Sequence, residues 1–142
     1  HSVPLSRQSL DLLRQAFAID GRTSGFCFPS VRTTSRPISE NTLNAALRRL
    51  GFGSDEMCTH GFRATASTLL NQARDPQTKR PLWSSDAIER ALAHGDSDKV
   101  RAAYHRGEHW EERVEMGQWW SDYIDQLRSG SDILRFPGHA RV

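Results

Sequence analysis

Apolar residues in this chain return at intervals of three and four in one segment after another, and that spacing suits little except packed helices. Leu10, Leu13 and Phe17 set the pattern in a first stretch, capped by Ser6 and closed at Asp20-Gly21. Leu43, Leu47 and Leu50 share a face of a second, which Ser39 caps and Gly51 stops. Arg48 and Arg49 fall in its last turn, where the helix dipole favours cations. A third begins at a Thr59 cap and carries Phe62, Ala66, Leu69 and Leu70. A fourth starts at Asp86, runs through Ile88 and Leu92 and ends at Gly95, and Asp98 caps a short fifth through Val100 and Ala103. The last and longest places Trp110, Val114, Gly117, Trp120, Ile124 and Leu127 down one side.

Little sequence is left for strands. Val3-Pro4-Leu5 reads as the end of one, and Phe26-Cys27-Phe28 as a short edge strand stopped by Pro29. Ser30 to Pro37 is loop carrying Arg32 and Arg36, and Asn71 to Ser85 is an exposed loop with Pro76 and Pro81. The expected fold is therefore mainly α with one or two short strands. Residues 1–128 form the domain, and residues 129–142, rich in Gly, Ser, Pro and Arg, form a loose tail. No apolar run approaches the roughly 20 residues of a membrane span, and no signal peptide is visible. The chain opens at His1 without a Met, as a fragment of a longer protein would.

Charge is unevenly spread. Residues 1–82 hold 11 basic and 6 acidic side chains, while residues 83–142 hold 8 basic and 11 acidic. Seventeen of the 19 basic residues are Arg, whose planar fork suits phosphate. Nucleic acid is thus a permitted partner for the first half, although an Arg-rich solvated surface explains the same numbers. Cys27 and Cys58 are far apart and form no CxxC pair, which fits two free thiols in a cytosolic protein. Cys58 lies two residues before His60, but a small buried side chain is the simpler reading than a Cys/His nucleophile pair.

Three short elements carry possible chemistry. Thr59-His60-Gly61-Phe62-Arg63 sits at a helix start, where free backbone N–H groups and the dipole suit an anion. The three-residue spacing of His60 and Arg63 puts them side by side on the first turn, able to hold two oxygens of one phosphate. Leu92-Ala93-His94-Gly95 ends a helix with a His, and Val100 to Arg106 carries Tyr104. Each alone has an ordinary explanation: a surface Arg, a capping His, a half-buried Tyr.

Their order and spacing strongly resemble the tyrosine recombinase (phage integrase) family, and most closely its P4-like integrases. The resemblance runs through His60 to Asn71, Ala87 to His94, Val100 to Arg106, Trp119-Trp120-Ser121-Asp122-Tyr123 and the opening Val3-Pro4-Leu5-Ser6. It implies the helical C-terminal portion of the catalytic domain of a site-specific recombinase. Tyr104 would attack a DNA phosphorus to give a 3′-phosphotyrosine and a free 5′-hydroxyl. Arg63 would hold the non-bridging oxygens as charge builds. His60 would orient the phosphate and take the tyrosine proton, and His94 would donate a hydrogen bond to it. Tyrosine is mostly protonated at neutral pH, its ordinary pKa being roughly 10, so surrounding cations matter.

The resemblance further implies double-stranded attachment-site DNA as substrate and a homo-tetramer of the full-length protein on it. It implies a cytoplasmic setting and no metal, ATP or other cofactor. Arg32, Arg36, Arg48 and Arg49 are the expected DNA-backbone contacts. The family site also uses an Arg and a hairpin Lys that normally precede the segment resembling Val3-Pro4-Leu5. Lys79 and Lys99 are the lysines present, and neither matches that position. The isolated chain is therefore expected to be inactive. Two alternatives stand beside this reading. One is a non-catalytic DNA-binding module. The other is a zinc peptidase built on His105-x-x-Glu108-His109, although Gly107 weakens the helix such a site requires.

Overall fold

A computed structural model describes residues 2–19, 21–92 and 109–130. Five helices and one hairpin are seen among them: α1 (Arg7–Ile19), β1 (Pro29–Ser30), β2 (Thr33–Pro37), α2 (Glu40–Arg49), α3 (Thr59–Gln72), α4 (Ser85–Ala91) and α5 (Trp110–Ser129). The mainly helical expectation with one or two short strands holds. The segment expected to form a helix from Asp98 lies outside the described residues, as does the tail beyond Gly130. No helix of the described residues is long and apolar enough to cross a membrane.

The chain divides into two compact units. One comprises residues 1–8 and 66–142, the other residues 9–65. The first holds the core. Leu70 from α3, Ile88 from α4 and Met116 from α5 are buried, and Trp83, Ala91, Leu92, Trp119 and Trp120 pack against them. Trp119 lies edge-on to Trp83 at 6.0 Å and stacks on Tyr123 at 5.5 Å.

The face that α5 buries matches the expected apolar stripe only in part, at Gly117 and Trp120. Trp110, Val114, Ile124 and Leu127 remain between 39% and 44% exposed, while Arg113 and Met116 are 4% and 2% exposed. An extended strap, residues 2–6, runs along α5 in place of the expected strand. The Arg113 guanidinium donates to the Ser2 carbonyl at 2.6 Å, Gly117 faces the Pro4 carbonyl, and the Ser121 hydroxyl donates to Ser6 Oγ at 2.7 Å. Two residues of strap match four of helix because an extended residue advances about 3.3 Å and a helical one about 1.5 Å. Small residues at 117 and 121 let the strap lie close. Beyond them, Gln8 Nε2 donates to Asp122 at 2.7 Å and Gln118 Nε2 to Gln8 at 2.9 Å. The Gln8 hydrogen bond, with help from Gln118 and Arg7, holds the Asp122 carboxyl below the usual range against a smaller opposing effect of burial. Burial lowers the Arg113 guanidinium from its ordinary value, and nearby Arg90 adds to this.

The loop between α3 and α4 is more ordered than an exposed connection. α3 continues to Gln72, Ala73 is 1% exposed, and Trp83 joins the core, so both ends of the loop are anchored. Leu82 N–H donates to the Ala73 carbonyl at 3.0 Å, and Asp75 N–H to the Arg80 carbonyl at 2.9 Å. Asp75 Oδ1 accepts from the N–H groups of Gln77 and Thr78, closing the turn from inside. The Thr78 hydrogen bonds are what chiefly depress the Asp75 carboxyl.

In the unit of residues 9–65 the strand expectation shifts. Phe26-Cys27-Phe28 is not a strand; β1 begins at Pro29 and pairs antiparallel with β2, Pro29 opposite Pro37 and Ser30 opposite Thr33. The stretch read as loop is thus mostly hairpin. Both prolines stand at its open end, where a missing N–H costs little, and Ile38 N–H continues the ladder to the Phe28 carbonyl at 2.9 Å. The Arg22 guanidinium lies over the Phe17 ring at 5.0 Å and donates to the Phe26 carbonyl at 2.6 Å.

Candidate active site

The start of α3 is built from outside the helix. Thr59 was expected to cap it, but Thr59 is already helical, and both its N–H and its hydroxyl donate to Asn44 Oδ1 on α2, the first at 2.9 Å. Gly61 N–H turns back to the Cys58 carbonyl at 2.9 Å. Arg48, one turn after Asn44, donates to the carbonyls of Phe52 and Met57 and so fixes the connection from α2 to α3. Ser39 does occupy the N-cap position of α2, yet its hydroxyl meets Thr42 Oγ1 at 2.9 Å rather than a backbone N–H. Gly51, with φ of 96°, makes the left-handed turn after α2 that a side chain would resist.

On this fixed helix start His60 is exposed and Arg63, one turn on, is half-buried. Among the described residues the Arg63 Nε–H is buried with no hydrogen-bond partner, as are Trp83 Nε1 and Arg113 Nε. A guanidinium N–H in that state lacks the acceptor that buried polar groups nearly always find. Beside the N-terminal end of a helix, an anion would satisfy it. Cys58, next to this site, is exposed, which corrects the expectation of a small buried side chain; Cys27 is exposed too, and both are free thiols.

His94 and Tyr104 lie outside the described residues, so the three elements are not seen together. Of the basic residues expected on DNA, Arg32 stands exposed in the hairpin turn, Arg36 exposed on β2 and Arg49 exposed at the end of α2. Arg48 differs from them, because both its terminal nitrogens are directed to backbone carbonyls. Of the zinc-peptidase residues, His105 and Glu108 lie outside the described residues. His109 is described, and its Nδ1 lies 3.1 Å from Glu112 Oε2. No group of three metal-ligating side chains occurs among the described residues.

A second polar joint escaped the sequence reading. α4 begins at Ser85, one residue before the expected Asp86, and Ser84 is its N-cap, its Oγ accepting from Ala87 N–H at 3.2 Å. Glu112 of α5 accepts from Ser84 N–H at 2.6 Å and from the Ser84 hydroxyl at 2.8 Å. Burial pushes the Glu112 carboxyl up, but the Ser84 and His109 interactions together outweigh it and hold it below the ordinary carboxylate range. A serine two residues ahead of Asp86 was a visible capping signal. Its carboxylate partner, 28 residues away, was not.

The chain is similar to integrases of phages and prophages. It is 45% identical over 131 residues to the integrase of Enterobacteria phage P4, which covers 91% of this chain and 28% of that protein. It is 42% identical over 130 residues to the putative protein IntB of Escherichia coli K12, covering 90% of this chain and 31% of that protein. To the prophage integrase IntA of the same strain it is 40% identical over 134 residues, 94% of this chain and 30% of that one. The chain thus spans about three-tenths of the length of the curated relatives it matches. No family model and no solved structure matches it.

Proposed function

We propose, since this chain belongs among the phage and prophage integrases and matches a segment of them, that it carries the nucleophile and half of the phosphate clamp of a tyrosine-type site-specific recombinase. The observation that carries the reading is the buried Nε–H of Arg63, without a partner among the described residues, one turn after His60 at the start of α3. A DNA phosphate is the anion of the right shape, since a guanidinium fork meets two of its oxygens at once.

In this mechanism the Tyr104 oxygen attacks the phosphorus, the bond to the 5′-oxygen breaks, and a 3′-phosphotyrosine forms. His60 takes the tyrosine proton, and Arg63 and His94 stabilise the charge on the non-bridging oxygens. The leaving 5′-oxygen receives a proton from a lysine in the preceding part of the full-length protein. Religation reverses each step. One phosphodiester is exchanged for another, so the bond energy is stored in the enzyme–DNA link. Arg32, Arg36 and Arg49 contact backbone phosphates of an attachment site, while Arg48 supports the site through the Phe52 and Met57 carbonyls. The full-length protein works as a homo-tetramer on double-stranded DNA, and the 142-residue chain alone is inactive for want of the upstream Arg and Lys.

The test is a nicked suicide substrate incubated with full-length enzyme, with Arg63→Lys, and with the 142-residue chain alone. Covalent adduct is expected from the first only. Arg63→Lys should lose most activity, because a point charge does not replace a bidentate fork. Near-normal cleavage by Arg63→Lys would make Arg63 a surface residue. Efficient adduct formation by the short chain would assign the proton donor to Lys79 or Lys99.

A further inference from the structure

The joint between Ser84, Glu112 and His109 has a place in the chain that its chemistry alone does not explain. Ser84 begins α4, the helix that leads toward His94. His109 is the residue just before α5 and the first described one after the stretch that contains Tyr104. One carboxylate therefore holds both ends of the span from 84 to 109: Oε1 and Oε2 accept from Ser84, and Oε2 meets His109 Nδ1. The His109 and Glu112 side chains keep 30% and 28% of their exposure, so the joint is partly shielded from water.

His109 carries a second mark. Its backbone is left-handed, with φ of 57°, a conformation uncommon for a non-glycine residue though histidine adopts it more often than most. Nor does its side chain cap α5; it reaches to Glu112, one turn ahead. α4 is meanwhile set against α5 by Ile88 and Met116, at 1% and 2% exposure. The core fixes α4, and the carboxylate fixes the chain's arrival at α5 relative to the start of α4.

We propose that Glu112 is a positioning residue for the cleavage reaction, closing with Ser84 and His109 the span that carries His94 and Tyr104. This rests on the reading of Tyr104 as nucleophile. Covalent attack needs the reacting oxygen in near-attack placement, and a displacement of about 1 Å can cost about 100-fold in rate. A chain pinned at both ends explores fewer arrangements than one pinned at a single end. The role assigned to Glu112 is exerted through Ser84 and His109, the side chains it meets.

The experiment uses full-length enzyme and a suicide substrate under single turnover, with rate constant, adduct amplitude and DNA affinity measured separately. Glu112→Ala and Ser84→Ala should lower the rate constant by between about 10- and 100-fold, with affinity and amplitude held within about twofold. Ser84→Thr keeps the hydroxyl and should retain the wild-type rate. Glu112→Ala combined with His109→Ala should cost little more than Glu112→Ala alone, because both break one joint. A fall in amplitude or melting temperature with an unchanged rate constant would reduce the joint to a helix staple and overturn the proposal. Tyr104→Phe is run beside them. If it abolishes the adduct while Glu112→Ala cleaves at the wild-type rate, the positioning role alone falls. If Tyr104→Phe still forms adduct, the nucleophile reading falls and takes this role with it.

Discussion

The unit of residues 1–8 and 66–142 buries Leu70, Ile88 and Met116 behind Trp83, Trp119 and Trp120, whereas no side chain among the described residues of 9–65 is buried. The second unit leaves Ile19 86% and Leu50 74% exposed and is held instead by side chains that reach backbone groups. Asn44 ties down Thr59, Arg48 the carbonyls of Phe52 and Met57, and Arg22 that of Phe26. Apolar burial is non-directional and resists single changes in geometry. Polar anchors are directional and place one backbone group each. His60 and the first turns of α3 lie in the unit built the second way. The turn proposed to hold a phosphate is placed there by hydrogen bonds, and segments so built open more readily than packed cores.

The largest effect should come from the core. Ile88→Ala is expected to cost about 2–5 kcal/mol, read as a lower urea midpoint for unfolding. A cost near zero would mean the two units do not differ as described. Arg48→Ala removes two charge-assisted hydrogen bonds and should cost about 1–3 kcal/mol. It should also speed amide exchange between Gly51 and Thr59 while leaving α5 protected. Slower exchange in α5 than in α2 is expected even before mutation, and the reverse order would break the comparison. Asn44→Ala leaves the Thr59 N–H and hydroxyl unpaired, for a loss of about 1 kcal/mol and a shifted His60 NMR signal.

Acid should have the smallest effect and act on the core unit. Glu112 has a folded-state pKa below its ordinary 4.5, so the stability it adds is complete above that value and is lost as pH falls through the lowered one. Melting temperature should therefore drop more steeply below about pH 4.5 in the wild type than in Glu112→Gln. Parallel profiles would show that the Ser84–Glu112–His109 joint adds nothing to folding.

How far the sequence carries depends on the range of the interaction. α1, α2, α3 and α5 follow from apolar spacing because that signal is repeated within each segment. His60 and Arg63 were legible as neighbours because three residues of helix bring them together whatever surrounds them. The buried face of α5 was legible only in part, at Trp120, since Arg113 buries its stem and its charge is answered by the Ser2 carbonyl 111 residues away. Thr59 looked like a cap because nothing local announces Asn44, 15 residues earlier, as its acceptor. The hairpin was misplaced because Pro29 read as a strand stop, whereas at the open end of two short strands, opposite Pro37, it is tolerated.

The central claim is that Tyr104 is the residue that joins DNA. The chain offers a single competitor, Tyr123, whose ring stacks on Trp119 at 5.5 Å and on Trp120 at 5.8 Å within the core unit. The direct measurement traps the covalent complex of full-length enzyme on a suicide substrate, digests protein and DNA, and sequences the nucleotide-bearing peptide by mass spectrometry. The modification is predicted on Tyr104. A nucleotide found on Tyr123, on a serine, or on no residue of this chain would contradict the account.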